Sequence, residues 1–121
     1  MLILSLAIVS NAIPLTQQTH AASGQLLFHI TDIPLFGQKV IIQVTGSSGT
    51  MQWRNNLIPF LSDTVTERVS GLQSGEFLTA CLTTIGGTAK KVRSCDDAQF
   101  DPKGGTDFFL SVSGKAPRQF N

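Results

Sequence analysis

The stretch Val69–Cys95 constrains the fold more strongly than any other part of this chain. It opens on the glycine-bracketed corner Gly71–Gly75, and apolar and polar residues then alternate until a Gly-Gly turn at 86–87. A basic segment returns from that turn to Cys95. Alternation with a period of two, interrupted by turn residues, is typical of an antiparallel β-hairpin that buries one face. We therefore predict a hairpin that directs three apolar residues to the core: Leu78, Ala80 and Leu82.

The two cysteines of the chain, Cys81 and Cys95, fall on this hairpin. If residues 86–90 form its loop, the two stand directly opposite each other on the outward face, a geometry that suits a disulfide. The same face then carries Thr79, Thr83, Lys91 and Arg93. The alternative is a reactive or metal-binding thiol pair, which is disfavoured because no histidine lies beside the C-x13-C spacing. We predict one cross-strand disulfide.

The first 21 residues predict export. Met1–Leu15 is almost wholly apolar, and the small residues of the triplet Thr19-His20-Ala21 suit signal-peptidase cleavage after Ala21. No Lys or Arg precedes the apolar run, unlike the usual signal pattern. The alternatives are a buried strand or a core helix; a retained membrane span is disfavoured because it needs roughly 20 apolar residues. We predict a secreted protein of the extracellular space or cell envelope with three parts: signal peptide 1–21, folded domain 22–114 and flexible tail 115–121.

The remainder of the chain has the pattern of short strands separated by turns, without helical periodicity. Gln38–Thr45 is the clearest strand. Thr50–Arg54 is a shorter strand that Asn55-Asn56 should end, and 96–105 should be an acidic loop. About seven strands, with turns every 8 to 12 residues or so, favour an all-β fold. We predict an Ig-like antiparallel β-sandwich with one disulfide.

One charged residue falls on the inward face of a predicted edge strand. In the segment Thr64–Ser70, Glu67 shares the parity of Val65 and Val69. An inward charge on an edge strand hinders edge-to-edge pairing with other chains. This interpretation is preferred to a catalytic acid.

Two sequence segments resemble the Ig-like sandwiches of the fibronectin type III and transthyretin-like (carboxypeptidase regulatory-like) groups: G-Q-L-x-x-x-I-T-D-I-P-L-x-G-Q-K-V-x-I-x-V-T-G and V-S-G-L-Q-S-G-E-F-L-T-A. Those families show a hydrophobic strand, a G-L-x-x-G corner and an aromatic residue that opens the next strand. The matching positions are Val69, Gly71, Leu72, Gly75 and Phe77, the last standing where the families usually have Tyr. The resemblance covers Gly24 to Gly114 and implies a non-catalytic module of an exported or surface protein.

The charge and the residue inventory exclude several function classes. The formal net charge is +1 and no block of like charges occurs, so the basic footprint of a nucleic-acid binder is missing. His29 is the one histidine left after the predicted cleavage, and it shares the outward face of its strand with Leu27 and Thr31. No G-x-S-x-G elbow or phosphate-binding glycine motif accompanies it. We predict that the protein is not an enzyme and that His29 is an isolated bystander.

Four aspartates supply the one candidate metal site, for calcium: Asp96, Asp97, Asp101 and Asp107. Calcium prefers oxygen ligands of this kind. Counted from Asp97, the sixth position is Pro102 and the twelfth is Phe108, so the spacing is not that of an EF-hand. A solvated acidic loop beside a basic segment is the preferred interpretation, and no cofactor is predicted.

Outward residues mark candidate positions for binding a partner. Leu27, Ile41 and Phe109 point away from the predicted core, and they would form one patch if their strands were neighbours. Partial cover of these residues by the tail or by the segment 57–61 is the preferred alternative. A second candidate is a loop that presents Trp53 and Arg54 to a ligand.

The sequence therefore predicts an exported, non-enzymatic binding or structural module of the cell surface or extracellular space. Its partner would be a protein or a cell-envelope polymer, with no nucleic acid and no retained membrane span involved. The alternative hypothesis is a small secreted inhibitor or ligand-binding protein that presents loops from a disulfide-stapled sandwich.

Overall fold

The computed structural model describes residues 21–59, 64–86 and 91–114, and within these ranges every helix or strand is a β-strand. The seven strands are β1 (Ala21–Thr31), β2 (Gln38–Gly46), β3 (Gly49–Leu57), β4 (Thr64–Gln73), β5 (Phe77–Ile85), β6 (Arg93–Gln99) and β7 (Thr106–Ser111). The predicted tail lies outside the described residues. So does the predicted signal peptide apart from Ala21, with which β1 begins.

The strands form two sheets, one with the order β4-β1-β7 and one with the order β3-β2-β5-β6. This confirms the predicted all-β sandwich of seven strands. One strand pair departs from the predicted antiparallel pattern: β1 and β7 run parallel from the pair Leu26–Thr106 to the pair Thr31–Ser111. β7 follows β6, which belongs to the other sheet. No hairpin turn therefore forces β7 to run antiparallel to its sheet neighbour β1.

Alternation of apolar side chains explains why these segments are strands and where the core sits. Along β1, β2 and β5 every second residue is buried between the sheets. The Phe28 ring lies 5.4 Å from Phe108 in its own sheet and 5.9 Å from Trp53 in the other, measured between centroids. Aromatic packing therefore joins the two layers. The core consists of Leu26, Phe28, Ile30, Val40, Ile42, Val44, Leu57, Val69, Leu72, Leu78, Ala80, Leu82, Phe100, Phe108, Leu110 and Val112.

The strand β3 is longer than predicted. Asn55 and Asn56 do not end it, because it continues to Leu57, whose side chain is buried. Leu57 keeps the inward parity of Met51 and Trp53, which pack against the core. Burial of this side chain outweighs the low strand propensity of asparagine.

The strand β6 also extends beyond its predicted end. Asp96 and Asp97 belong to it, so the acidic loop predicted over 96–105 is confined to 100–105. The reason is continuous pairing with β5, which runs from the pair Thr83–Arg93 to the pair Phe77–Gln99. Cross-strand partners along the whole segment offset the poor strand propensity of aspartate.

Phe100, in the loop after β6, is a core residue that the sequence reading did not single out. Its ring is buried, its N–H donates to the Glu76 carbonyl, and its carbonyl accepts from the Gly75 N–H, both at 2.8 Å. A methyl group on Gly24 would lie 2.9 Å from Phe100 Cζ. The bare glycine therefore lets β1 pass close over the ring.

Glu76 ties two turns together at the same end of the sandwich. Its carboxylate accepts hydrogen bonds from the Ser48 N–H at 2.8 Å, the Ser48 hydroxyl at 2.7 Å and the Gln73 N–H at 2.9 Å. Burial acts to raise the pKa of this carboxyl, but these bonds and one from the Ser47 side chain outweigh it. They lower the pKa from 4.5 to about 2.

Side chains of β6 cap the free edge of β7. Asp96 Oδ2 accepts the Phe109 N–H at 2.8 Å, and Ser94 Oγ accepts the Ser111 N–H at 3.0 Å. These bonds close one side of the sandwich and satisfy donors that would otherwise invite pairing with another chain. On the edge strand β4, Glu67 is half-buried opposite Leu26, which confirms its predicted inward direction.

Candidate functional site

The apolar end of the sandwich is defined here by three exposed side chains. Four large apolar side chains of the described residues are exposed, and three of them lie at one end: Leu35 (74%), Phe36 (102%) and Ile58 (51%). The first two belong to the β1–β2 loop, and Ile58 directly follows β3. The fourth, Phe77, opens β5 at the opposite end.

Leu35 and Phe36 occupy the tip of a tight turn. The Gly37 N–H donates to the Pro34 carbonyl at 2.8 Å, so the two are the central residues of a four-residue turn. Gly37 has a φ of 83°, and a Cβ there would lie 2.7 Å from the Leu57 carbonyl oxygen. Because a Cβ would collide with this oxygen, only glycine allows the turn to pack against the end of β3. Turn tips usually carry Gly, Pro, Asn, Asp or Ser, so folding does not account for the exposed Leu-Phe pair.

An open groove of about 590 Å³ lies between this turn and the ends of β3 and β5. Apolar side chains form most of its lining, with a few polar groups at its rim. The lining consists of Leu35, Phe36, Gly37, Gln38, Lys39, Asn56, Leu57, Ile58, Pro59, Ile85 and Gly86.

A basic band, made of Lys39, Arg54 and Arg93, lies on the outer face of the four-stranded sheet beside the apolar end. Lys39 lines the groove. Two residues further from the apolar end than Lys39, four outward side chains form a row across the sheet. Arg54 and Arg93 lie at its two sides, and Ile41 and Thr83 lie between them. All three basic side chains are exposed. The ion pair found among the described residues joins His29 to Asp107, so no carboxylate there neutralises the band.

Most carboxylates of the described residues lie away from the basic band. Glu76, Asp97 and Asp101 lie toward the opposite end, where β5 begins and β6 finishes. Asp32 lies at the apolar end but at the three-stranded sheet, and its carboxylate accepts bonds from the hydroxyls of Ser111 (3.0 Å) and Ser113 (2.7 Å). In the described part of the sandwich, the apolar side chains and the basic band therefore lie at one end. Glu76, Asp97 and Asp101 lie toward the other end, together with the exposed cations Arg68 and Lys103.

The disulfide is present as predicted. Cys81 on β5 and Cys95 on β6 stand directly opposite each other, with Cα atoms 4.1 Å apart. Both lie on the outward face with Thr79, Thr83 and Arg93, also as predicted. The bond fixes the edge strand β6 to the centre of its sheet, and no cysteine of the described residues is free.

His29 is not isolated, contrary to the expectation from sequence. Its Nε2 lies 2.8 Å from Asp107 Oδ1, its Nδ1 lies 3.3 Å from Thr64 Oγ1, and its ring stacks on Phe109 at 4.9 Å. The parallel pairing of β1 with β7 brings these groups together. Both ring nitrogens of His29 therefore have a side-chain partner, Asp107 on one side and Thr64 on the other.

The predicted patch of Leu27, Ile41 and Phe109 does not form. Leu27 and Phe109 are half-buried on the outer face of the three-stranded sheet, on adjacent strands. Ile41 lies on the outer face of the other sheet, beside Arg54. The condition for such a patch, that the three strands be neighbours, is not met, because β1 and β2 belong to different sheets.

The predicted loop at Trp53 and Arg54 is part of β3. Trp53 faces inward, where its ring packs 5.9 Å from that of Phe28. Arg54 faces outward and belongs to the basic band. Of the two predicted ligand contacts, only Arg54 therefore lies on an accessible surface near the apolar end.

The four calcium candidates lie apart: Asp96 at the β6–β7 seam, Asp97 on the outer face of β6, Asp101 in the loop before β7, and Asp107 beside His29. Among the residues that the structure describes, no group of three or more His, Cys, Asp or Glu side chains could hold a metal ion. The Asp101 carboxylate accepts the backbone N–H groups of Gly104 and Lys103, both at 3.0 Å. These bonds lower the pKa of Asp101, which caps its own turn.

Sequence reasoning missed the apolar end. It placed residues 32–37 correctly in a connection between strands, but it did not consider which side chains a turn there would expose. The overlooked signal is the pair Leu35-Phe36 between Pro34 and Gly37, two large apolar residues at the centre of a turn. Ile58 gave no comparable signal, because it falls in a mixed apolar segment beside Pro59.

No protein-family model, no curated protein and no solved structure matches this chain. Within the described ranges, no helix is long and apolar enough to cross a membrane. A function for the apolar end is therefore inferred from its own geometry and charge.

Proposed function

We propose that this protein is an exported, non-enzymatic binding module of the cell surface or extracellular space, and that it binds its partner with the apolar end. The observation that carries this proposal is the Leu35-Phe36 turn, which holds two large apolar side chains in solvent beside a groove. Clustered exposed apolar side chains with a polar rim are typical of interaction sites. Glycine at position 37 fixes the turn, so little ordering is needed on binding.

Export is supported by the disulfide between Cys81 and Cys95, since such bonds persist in oxidising compartments. It is further supported by the apolar leader predicted over residues 1–21. The proposed Ig-like kinship, to the fibronectin type III or transthyretin-like groups, is supported by the two facing sheets of three and four strands. Sandwiches of this class carry their binding loops at the two ends, which agrees with a site at the apolar end.

A non-enzymatic role is supported by the character of the apolar end. It does not rest on His29, whose ring nitrogens contact Asp107 and Thr64 on the outer face of a sheet. The exposed apolar turn lies at the end of the sandwich and carries no nucleophile of its own. The exposed Leu35-Phe36 turn, which the fold does not require, is therefore interpreted as a binding surface.

A secreted inhibitor or ligand-binding protein is the second candidate. The turn 34–37 projects from the sandwich and is held at its base by Gly37, as expected of a loop that enters a partner's cleft. An inhibitor would leave the cell as a soluble complex with its partner. A surface module would stay with envelope material.

The test measures how much exported protein is retained on the producing cells' own envelope fraction. Phe36→Ser removes the fully exposed ring of the apolar end, and we expect retention to fall about tenfold because its apolar contact area is lost. Phe77→Ser is the matched control, since it removes an exposed ring from the opposite end. We expect retention of this control to equal that of the wild type.

Two results would contradict the proposal. Equal retention of Phe36→Ser and wild type would remove the binding role of the apolar end. Recovery of the wild-type chain only inside the cell would remove the assignment to an exported module. Release of Phe36→Ser together with normal retention of Phe77→Ser supports it.

A further inference from the structure

The apolar end and the basic band form one continuous surface. Lys39 belongs to both, because it lines the groove and pairs with Asn56 and Ile85 at the ends of the neighbouring strands. Arg54 and Arg93 lie two residues further along their strands, about 7 Å behind Lys39. The exposed apolar turn therefore comes first, Lys39 lies next to it, and the row of Arg54 and Arg93 lies behind Lys39.

The apolar side chains project singly and are not walled in. Phe36 is fully exposed, so no neighbouring side chain covers either face of its ring. A protein partner usually binds an exposed ring of this kind in a pocket whose walls pack closely around it. A bilayer surface needs no matched cleft, because acyl chains and headgroups rearrange around whatever is inserted.

The charges fit the same surface. Apolar segments of interfacial proteins enter the headgroup and acyl boundary by about 5–10 Å. Lys39 comes three residues after Phe36, which is at most about 10 Å of strand. The row of Arg54 and Arg93 lies level with Ile41, five residues and at most about 16 Å from Phe36, so these side chains must extend toward the apolar end to meet phosphates. Long basic side chains can then lie along the apolar surface and place their charged ends among lipid phosphates. Asp32, the described carboxylate at this end, is turned toward the hydroxyls of Ser111 and Ser113.

We propose that the apolar end docks on an anionic lipid bilayer, with Leu35, Phe36 and Ile58 entering the interface and Lys39, Arg54 and Arg93 binding lipid phosphates. This inference rests on the proposed function, because it names the partner of the same surface. The protein would lie on the bilayer as a peripheral module, with the end that holds Glu76 directed away.

The experiment is cosedimentation of the purified protein with phosphatidylcholine vesicles that contain or lack phosphatidylglycerol. We expect binding to the anionic vesicles, and weakening when salt rises from about 0.1 M to about 1 M, since the Debye length falls from about 10 Å to about 3 Å. Phe36→Ser should weaken binding about tenfold. Each alanine substitution at Lys39, Arg54 or Arg93 should weaken it about fivefold.

Matched variants separate the interface from general charge and hydrophobicity. Phe77→Ser and Lys103→Ala remove an exposed ring and an exposed cation from the opposite end, and both should bind like the wild type. Phe36→Trp should retain binding, because indole rings favour the membrane interface. All variants are purified from exported material, so all of them have the same amino terminus. Fluorescence of Trp53 reports whether each variant is folded.

The outcomes distinguish this inference from the proposed function. Equal binding to neutral and anionic vesicles, or equal binding of Phe36→Ser and wild type, would overturn the lipid assignment. If vesicles fail to bind while Phe36→Ser still releases the protein from envelope material, the partner is a protein or a polymer. In that case the proposed function stands and the lipid inference falls. If Phe36→Ser remains on the envelope, both fall.

Discussion

The carboxylate of Glu76 accepts a 2.8 Å hydrogen bond from the backbone N–H of Ser48, a residue that lies 28 positions earlier in the chain. The bond joins the turn between β2 and β3 to the turn between β4 and β5. Glu76 is nearly buried, and the hydroxyl of Ser48 and the N–H of Gln73 complete its set of donors. A single side chain therefore holds the end of the sandwich opposite the apolar end.

Glu76→Gln should lower the free energy of unfolding by about 2–3 kcal/mol, because charge-assisted bonds are lost and one amide donor faces other donors. Urea unfolding followed by Trp53 fluorescence measures the change. Glu67→Gln is the control, since this half-buried side chain of β4 lies outside the network. A loss no larger than that of the control would show that the bonds of Glu76 contribute little.

The same carboxylate predicts how stability depends on acid. Its pKa is about 2 in the folded protein and 4.5 ordinarily, so the unfolded chain binds the proton more readily. The stabilisation is therefore complete above pH 4.5 and is lost as pH falls toward about 2. Unfolding curves across this window should show a steeper loss for wild type than for Glu76→Gln. Parallel curves would contradict the lowered pKa.

The disulfide should contribute about 3 kcal/mol, because it closes a loop of about 15 residues in the unfolded chain. The double change Cys81→Ser with Cys95→Ser removes it. Reducing agent should lower the unfolding midpoint of wild type and leave that of the double variant unchanged. A thiol assay on exported protein should find no free cysteine, and a positive assay would oppose both the bond and the compartment.

Ser94→Ala should cost about 1–3 kcal/mol, because it leaves the N–H of the buried residue Ser111 without its acceptor. Hydrogen exchange at the Ser111 amide should accelerate as the edge of β7 opens. Ser70→Ala, at an exposed position of β4, is the control and should change stability by less than about 0.5 kcal/mol. Unchanged exchange at Ser111 would argue against the cap.

Phe100→Ala should cost about 3–5 kcal/mol, because it opens a cavity beneath β1. Phe36→Ala and Phe77→Ala remove rings that are exposed, and each should cost less than about 0.5 kcal/mol. Thermal unfolding of the three variants measures the contrast. A large loss for Phe36→Ala would mean that its ring serves the fold, and it would weaken the case for a docking surface.

Features set by local pattern were predictable from the sequence. Leu78, Ala80 and Leu82 alternate with polar residues, and this period of two gives both the strand and its buried face. The pairing of Cys81 with Cys95 followed from the same parity and the length of the loop. Such predictions need no knowledge of distant parts of the chain.

Features set by distant pairing were not predictable. The separation of Ile41 from Leu27 and Phe109 could not be foreseen, because strand alternation says nothing about which strands share a sheet. The partners of His29 were missed for the same reason, since Asp107 lies 78 positions away and meets it only through the parallel β1–β7 pair. At Asn55 and Asn56 propensity failed because burial of Leu57 prolongs the strand. Exposure of Phe36 depends on turn geometry, which composition does not specify.

The parallel pair of β1 and β7 also determines how the module bears mechanical load. β1 starts beside the Glu76 turns, whereas β7 finishes at the apolar end, so tension between residues 21 and 111 drags the two neighbouring strands past each other. All of the hydrogen bonds between them then resist in shear, whereas a hairpin pulled at its open end would lose its bonds one after another. A sandwich pulled between residues 21 and 111 would thus resist through all of these hydrogen bonds at once.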